Sequence, residues 1–318
     1  MPLFMFMSGF VFYWSCDKHE LRTILINRFR GIGIPLLSWG ILQFMYDISL
    51  EKPKNVISYI KMLKNSIVSI WFLWAVLSIS CAVAIIYKYR DRLIDKVILG
   101  ILMVALLYIL PGRTNNFFMI PFFILGFIFC KYGIFERYLY IRFKWLYFLI
   151  WLFMLIFYGK RHYIYTTGIF PSGLISGKAI LLQFEIDLFR YLIGLFGTIA
   201  IIELLRLIFK KINMKNLSKL IVNGGRRSLD IYVMQRVLVE TIIANAFVNI
   251  VDSIGENYLT SNLLCYNFVI TLLFALICYI FLLGISTVLN KNAVVSFVLF
   301  GRKKGIRNDR GFFDKTIR

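Results

Sequence analysis

Acidic residues are scarce in this chain: 16 Asp and Glu stand against 37 Lys and Arg, for a formal net charge of +21. Histidine is scarcer still, at His19 and His162 alone, and the two are not spaced as a metal pair. The five cysteines (Cys16, Cys81, Cys130, Cys265, Cys278) lie within or at the edges of apolar runs, without close metal-type spacing. They read as small packing residues rather than disulfides or metal ligands, and no metal site is expected. There is no long polar linker, no internal repeat and no low-complexity stretch to mark a domain boundary. A basic soluble module is also missing, which excludes the usual nucleic-acid reading of so positive a charge.

What is present is apolar surface. Hydrophobic residues make up 60% of the chain and mean hydropathy is +0.76, more than a soluble domain can bury. The apolar runs are continuous rather than alternating, so the fold class is all-α, a polytopic transmembrane helical bundle and not a barrel. Nine spans are expected. The first is Pro2–Cys16, followed by Ile32–Ile48, Ile67–Tyr87, Val97–Leu110, Asn116–Cys130, Trp145–Tyr158, Leu188–Leu205, Leu229–Ile250 and Leu263–Leu289. Several fall short of the roughly 20 residues of a full crossing.

Charge sets the expected orientation. If alternate connections are taken as cytoplasmic, starting with Asp17–Gly31, that side and the C-terminal tail hold 27 Lys and Arg, and the other side holds 8. The C-terminus is therefore expected inside and Met1 outside, in an inner or plasma membrane. The connection Gly159–Asp187 carries apolar residues (Ile169, Phe170, Leu174, Ile175) and reads as an interfacial or re-entrant piece. The expected organisation is a transmembrane domain over residues 1–290 and a cytoplasmic amphipathic and basic tail over 291–318. That tail has an apolar helix at Ala293–Phe300 before Arg302, Lys303 and Lys304.

Ionisable groups at membrane depth are costly and stand out as candidates. Arg190 begins one span, with Gly194 and Gly197 one and two turns on, where small residues allow close approach of a helix or substrate. Glu203 lies towards the other end of that span. Asp230, Arg236 and Glu240 share the next, and Arg236 and Glu240 are spaced to pair on one face. Such pairs serve either helix register or substrate. The loop Leu21–Pro35 carries Arg22, Arg28 and Arg30, either as a positive-inside anchor or as forks for phosphate oxygens.

Several motifs fall in order along the chain. They are Met1–Phe12 (MPLFMFMSGFVF), a basic stretch leading to Ile34-Pro35-Leu36-Leu37-Ser38-Trp39, the run Trp71–Leu77, and Pro121–Gly126. Arg190 with Gly194 and Gly197 follows, then Gly225–Gln235 (GRRSLDIYVMQ). This order resembles the acyltransferase-3 family of integral membrane acyltransferases. The resemblance implies a ten-helix core in which Met1–Phe12 begins the second helix. It implies O-acyl transfer from cytoplasmic acetyl-CoA or another acyl-CoA, as co-substrate rather than bound cofactor, to a hydroxyl of a cell-surface saccharide or lipid-linked sugar. Arg28 and Arg30 become donor-binding candidates, although Gly31 and Gly33 separate them from Pro35 where the family tends to keep a basic residue closer. Arg190, Glu203, Gln235 and Arg236 are the intramembrane polar candidates.

The family's catalytic histidine is expected before Met1, on a first helix outside this sequence, so no catalytic residue is assigned here. Gln235 stands where many relatives carry histidine, and glutamine cannot act as a base near neutral pH. Two alternatives remain open at this stage: a transporter or flippase of a lipid-linked saccharide, and an inactive, truncated relative.

Overall fold

A computed structural model describes residues 1–51, 55–89, 113–162, 177–211, 227–243 and 271–302, together with residues 95, 97–98, 100, 101, 224 and 225. Among them every regular element is helical and there is no strand. Most of the span expected at Val97–Leu110, the ends 244–250 and 263–270 of the last two spans, the connection 163–176, Cys265 and the tail beyond Arg302 lie outside the described residues.

The elements in chain order are α1 (Pro2–Lys18), α2 (Leu21–Arg28), a π-helical turn (Phe29–Gly33), α3 (Ile34–Leu50), α4 (Val56–Ser69) and α5 (Trp71–Lys88). There follow α6 (Arg113–Lys131), α7 (Tyr138–Ile156), α8 (Gly177–Lys211), α9 (Ser228–Met234), a π-helical segment (Gln235–Ile243), α10 (Thr271–Leu289) and α11 (Ala293–Phe300). Among the described residues, three stretches are long and apolar enough to cross a membrane: Trp71–Lys88, Tyr138–Ile156 and Ile180–Ile208. Phe118–Lys131 and Leu273–Leu289 are shorter apolar helices. Among the described residues the protein is all-helical, with helices apolar enough to cross a membrane.

One expectation about a connection is corrected, and a second connection proves to hold a helix. The basic stretch Leu21–Pro35 is not a loop, because α2, the π turn and the start of α3 occupy it. Pro35 sits in the first turn of α3, where its missing N–H costs least. Likewise the connection expected at Ser49–Ser66 contains most of α4. Its lysines, Lys61 and Lys64, make it too polar for a span, and Ile70 breaks the chain between α4 and α5.

The chain forms two compact units, one of Met1–Arg28 with Trp71–Met214 and one of Phe29–Ile70 with Lys215–Arg318. In the first, α1 packs against α6 more extensively than any other pair of elements meets among the described residues. Glycine makes this crossing possible. A Cβ on Gly9 would overlap the carbonyl of Phe123, and one on Gly126 would overlap the carbonyl of Phe6. The backbones therefore approach as small residues allow in apolar bundles. Around the crossing Phe6 packs on Phe129 and Phe135, and Phe12 on Phe123 and Phe127, edge-on or tilted. Helix α8 packs against α7, where Gly197 faces the Trp151 indole, while Gly194 faces Phe122 of α6 and Pro2 of α1. These two glycines serve helix packing.

In the second unit α3 is the centre. Gly40 seats Ile67 of α4, and two polar bridges tie the same helices: Ser66 Oγ donates to Asp47 Oδ2 at 2.7 Å and Ser69 Oγ to Gln43 Oε1 at 2.9 Å. On another side α11 docks on α3, with Phe300 buried against Trp39.

Candidate functional site

Arg28 ends α2 in the first unit. Its guanidinium lies 4.2 Å from the centroid of the Phe12 ring on α1, with the thiols of Cys16 and Cys81 nearby. Burial lowers its pKa to about 10, the thiols working in the opposite direction, so it stays a cation at neutral pH. Arg161, Arg190, Arg206, Arg236 and Arg302 each face a carboxylate. Arg28 has none among the described residues. A half-buried guanidinium held by an aromatic face, with its fork unneutralised, suits an anionic oxygen pair.

Arg30 belongs to the second unit, on the π turn Phe29–Gly33. Single π turns within helices recur at functional sites. The carbonyl oxygen of Arg30 lies against Gly301, just past the end of α11.

Arg190 is buried on α8 and its donors are occupied. NH1 donates to Asp187 Oδ1 at 2.8 Å, Nε to the His162 carbonyl at 2.8 Å and NH2 to the Arg161 carbonyl at 3.5 Å. It staples the turn Lys160–His162 onto α8. His162 is 3% exposed despite its polar neighbours in sequence, and its ring stacks on Phe189 with centroids 4.2 Å apart. Its Nδ1 accepts the Gly159 amide at 3.0 Å, so in the neutral ring the proton sits on Nε2. That tautomer offers a donor rather than a base at the ring edge. Burial, then Arg161 and Arg190, lower the pKa from 6.5 and favour the neutral form. His19 is exposed and closes α1.

Glu203, further along α8, gathers three donors from two helices. Tyr140 Oη donates to Oε1 at 2.9 Å, Arg206 NH1 to Oε1 at 2.8 Å, and Lys144 Nζ lies 3.7 Å from Oε2. The carboxylate borders a cavity of about 40 Å³ lined also by Lys144, Trp145, Phe148, Ala200, Leu204 and Leu207.

Gln235 and Arg236 open the π-helical segment of the second unit. Gln235 is exposed. Arg236 pairs with Glu240 as their spacing implied, while its Nε is buried with no hydrogen-bond partner. The structure thus separates the six candidates. Arg28, Arg190 and Glu203 belong to one unit, and Arg30, Gln235 and Arg236 to the other.

One charged residue singled out by its depth has a partner that the sequence did not reveal. Asp230 is 1% exposed and accepts from Ser286 Oγ at 3.0 Å, Asn290 Nδ2 at 3.2 Å and Arg302 NH2 at 2.7 Å. Its place in an apolar stretch marks it as costly unless paired, but its cationic partner lies 72 residues on, just past α11. No group of His, Cys, Asp and Glu among the described residues is arranged to hold a metal.

A family model for the acyltransferase-3 domain, described as an acyltransferase domain, matches residues 1–291. No curated protein and no solved structure matches the chain.

Proposed function

The chain belongs to the acyltransferase-3 family, and from that premise we propose that it moves an acetyl or other acyl group from acyl-CoA to a hydroxyl of a cell-surface saccharide or a lipid-linked sugar. The acceptor oxygen attacks the thioester carbonyl, the hydroxyl proton passes to a base, and CoA leaves as the thiol. The reading includes nine spans in this chain, a plasma-membrane location and a cytoplasmic C-terminus, in line with 27 basic residues against 8.

The observation that carries the donor side is Arg28. It is a half-buried cation with no carboxylate partner among the described residues, in a connection that the charge count puts on the cytoplasmic side, where acyl-CoA is available. Its fork is free to take two oxygens of a CoA phosphate, an interaction roughly twice as strong as one between neutral partners. Arg30 is the donor candidate of the other unit and is tested separately. Arg190 supports the turn before α8, and Glu203 organises one end of the α7–α8 pair.

The test is equilibrium binding of acetyl-CoA to the purified full chain. Arg28→Gln is expected to weaken binding by about tenfold or more, the loss of one charged hydrogen-bonded contact. Arg22→Gln, at an exposed position of the same helix, is expected to leave it within about twofold. Equal affinity in the wild type and Arg28→Gln would remove Arg28 from the donor site.

A further inference from the structure

The chain from Phe297 to Arg302 is fastened to α3 and its preceding turn by a series of contacts within the second unit. Trp39 Nε1 donates to the Leu299 carbonyl at 3.0 Å and Ser38 Oγ to the Val298 carbonyl at 2.5 Å. These are carbonyls of the last turn of α11, which have no partner within the helix. Phe300 is buried beside Trp39. Gly301 then turns the chain at φ +64°, a conformation that favours glycine. A Cβ there would overlap the Arg30 carbonyl and touch Gly31, so only glycine lets the chain lie flat on this turn. The next residue, Arg302, reaches the buried Asp230 carboxylate.

The turn it rests on needs support. Phe29–Gly33 is π-helical, contains two glycines, and is followed by Pro35. Proline has no N–H, so a carbonyl of the turn before it lacks its helical donor. Glycine adds backbone freedom at the same place. Local sequence therefore holds this turn weakly, and Gly301 packs closely on the Arg30 carbonyl from outside the turn. Asp230 is in turn fixed by Ser286 and Asn290, and Asn290 Oδ1 accepts from Ser296 Oγ of α11 at 2.7 Å. Both ends of α11 are thus tied to one polar network.

We infer that the Asp230–Arg302 ion pair positions Arg30: by anchoring Gly301 it holds the Phe29–Gly33 turn in register. Arg302 and Gly301 lie beyond the residues that the family model matches. They are positioning residues, acting on Arg30 through its backbone. The positional claim stands on this geometry alone, and its consequence for the donor rests on the proposed function.

The test uses the full chain in membranes, with the native cysteines replaced and Arg30→Cys introduced as a reporter for a maleimide reagent. Adding Arg302→Ala is expected to speed labelling at position 30 roughly tenfold, as a local opening would. Arg302→Lys, which keeps the charge, is expected to retain most of the protection. Gly301→Ala is expected to reproduce the increase with the ion pair's own residues intact. Unchanged labelling in both Arg302→Ala and Gly301→Ala overturns the proposal, as does exposure of the tail to protease without a change at position 30. The kinetic arm keeps Arg30 in place. A raised KM for acyl-CoA with unchanged kcat in Arg302→Ala ties the turn to donor binding. Faster labelling with unchanged KM upholds the positioning role and removes Arg30 from the donor site.

Discussion

Gly126 of α6 lies directly against the carbonyl of Phe6 on α1, and Gly9 answers it against the carbonyl of Phe123. Both glycines come from motifs that carry the family resemblance, Met1–Phe12 and Pro121–Gly126. Their first role is mechanical: they set the distance of the crossing on which the first unit is built.

Gly126→Ala is therefore expected to destabilise the chain by about 1–3 kcal/mol, since the added Cβ meets backbone that cannot rotate away. Gly284→Ala is the contrast. That glycine lies within α10 with open space where a Cβ would go, and the change is expected to be neutral or stabilising by up to about 1 kcal/mol. Thermal unfolding of both variants in detergent checks the pair, and equal losses would contradict the close crossing.

Stability is expected to fall as pH drops below about 6.5. His162 is held neutral in the folded chain, with its pKa lowered from 6.5 chiefly by burial. The unfolded chain takes up a proton there first, so protonation favours unfolding below that pH. Above it the group contributes no pH dependence. His162→Asn can still accept the Gly159 amide and does not titrate. Melting temperatures at pH 7.5 and pH 5.5 are expected to differ less in that variant than in the wild type. An equal difference in both would assign the acid sensitivity elsewhere.

Glu203→Ala is expected to cost more than Tyr140→Phe. Removing the carboxylate leaves Lys144 and Arg206 without their shared partner and Tyr140 Oη buried without an acceptor, a loss of roughly 2–4 kcal/mol. Removing the hydroxyl alone is expected to cost about 1 kcal/mol. Chemical unfolding of the two single variants and the double variant measures the coupling. Additive effects would contradict a direct Tyr140–Glu203 hydrogen bond.

The helices were legible where apolar residues run unbroken, as at Trp71–Lys88 and Tyr138–Ile156, because such runs have one stable form in a bilayer. The Arg236–Glu240 pair was legible from its spacing. The stretch Leu21–Pro35 was misread as a loop because Gly31, Gly33 and Pro35 each weaken a helix locally. The turn Phe29–Gly33 within that stretch is packed against Gly301, some 270 residues away, a contact that no local pattern encodes. The same holds for Asp230, whose cost was visible but whose partner Arg302 was not. Nothing near His162 in sequence signals its burial, which comes from Phe189 stacking and the Arg190 staple, both supplied by a later helix.

The most direct test of acyl transfer follows the label itself. Membranes containing the full chain are given radiolabelled acetyl-CoA together with the saccharide fraction of the same cells. Alkali-labile label is then measured on the saccharide, with Arg28→Gln alongside. The account predicts ester-linked label that depends on the chain and falls about tenfold or more in Arg28→Gln at limiting donor. Movement of the saccharide across the membrane with no label incorporated would contradict it.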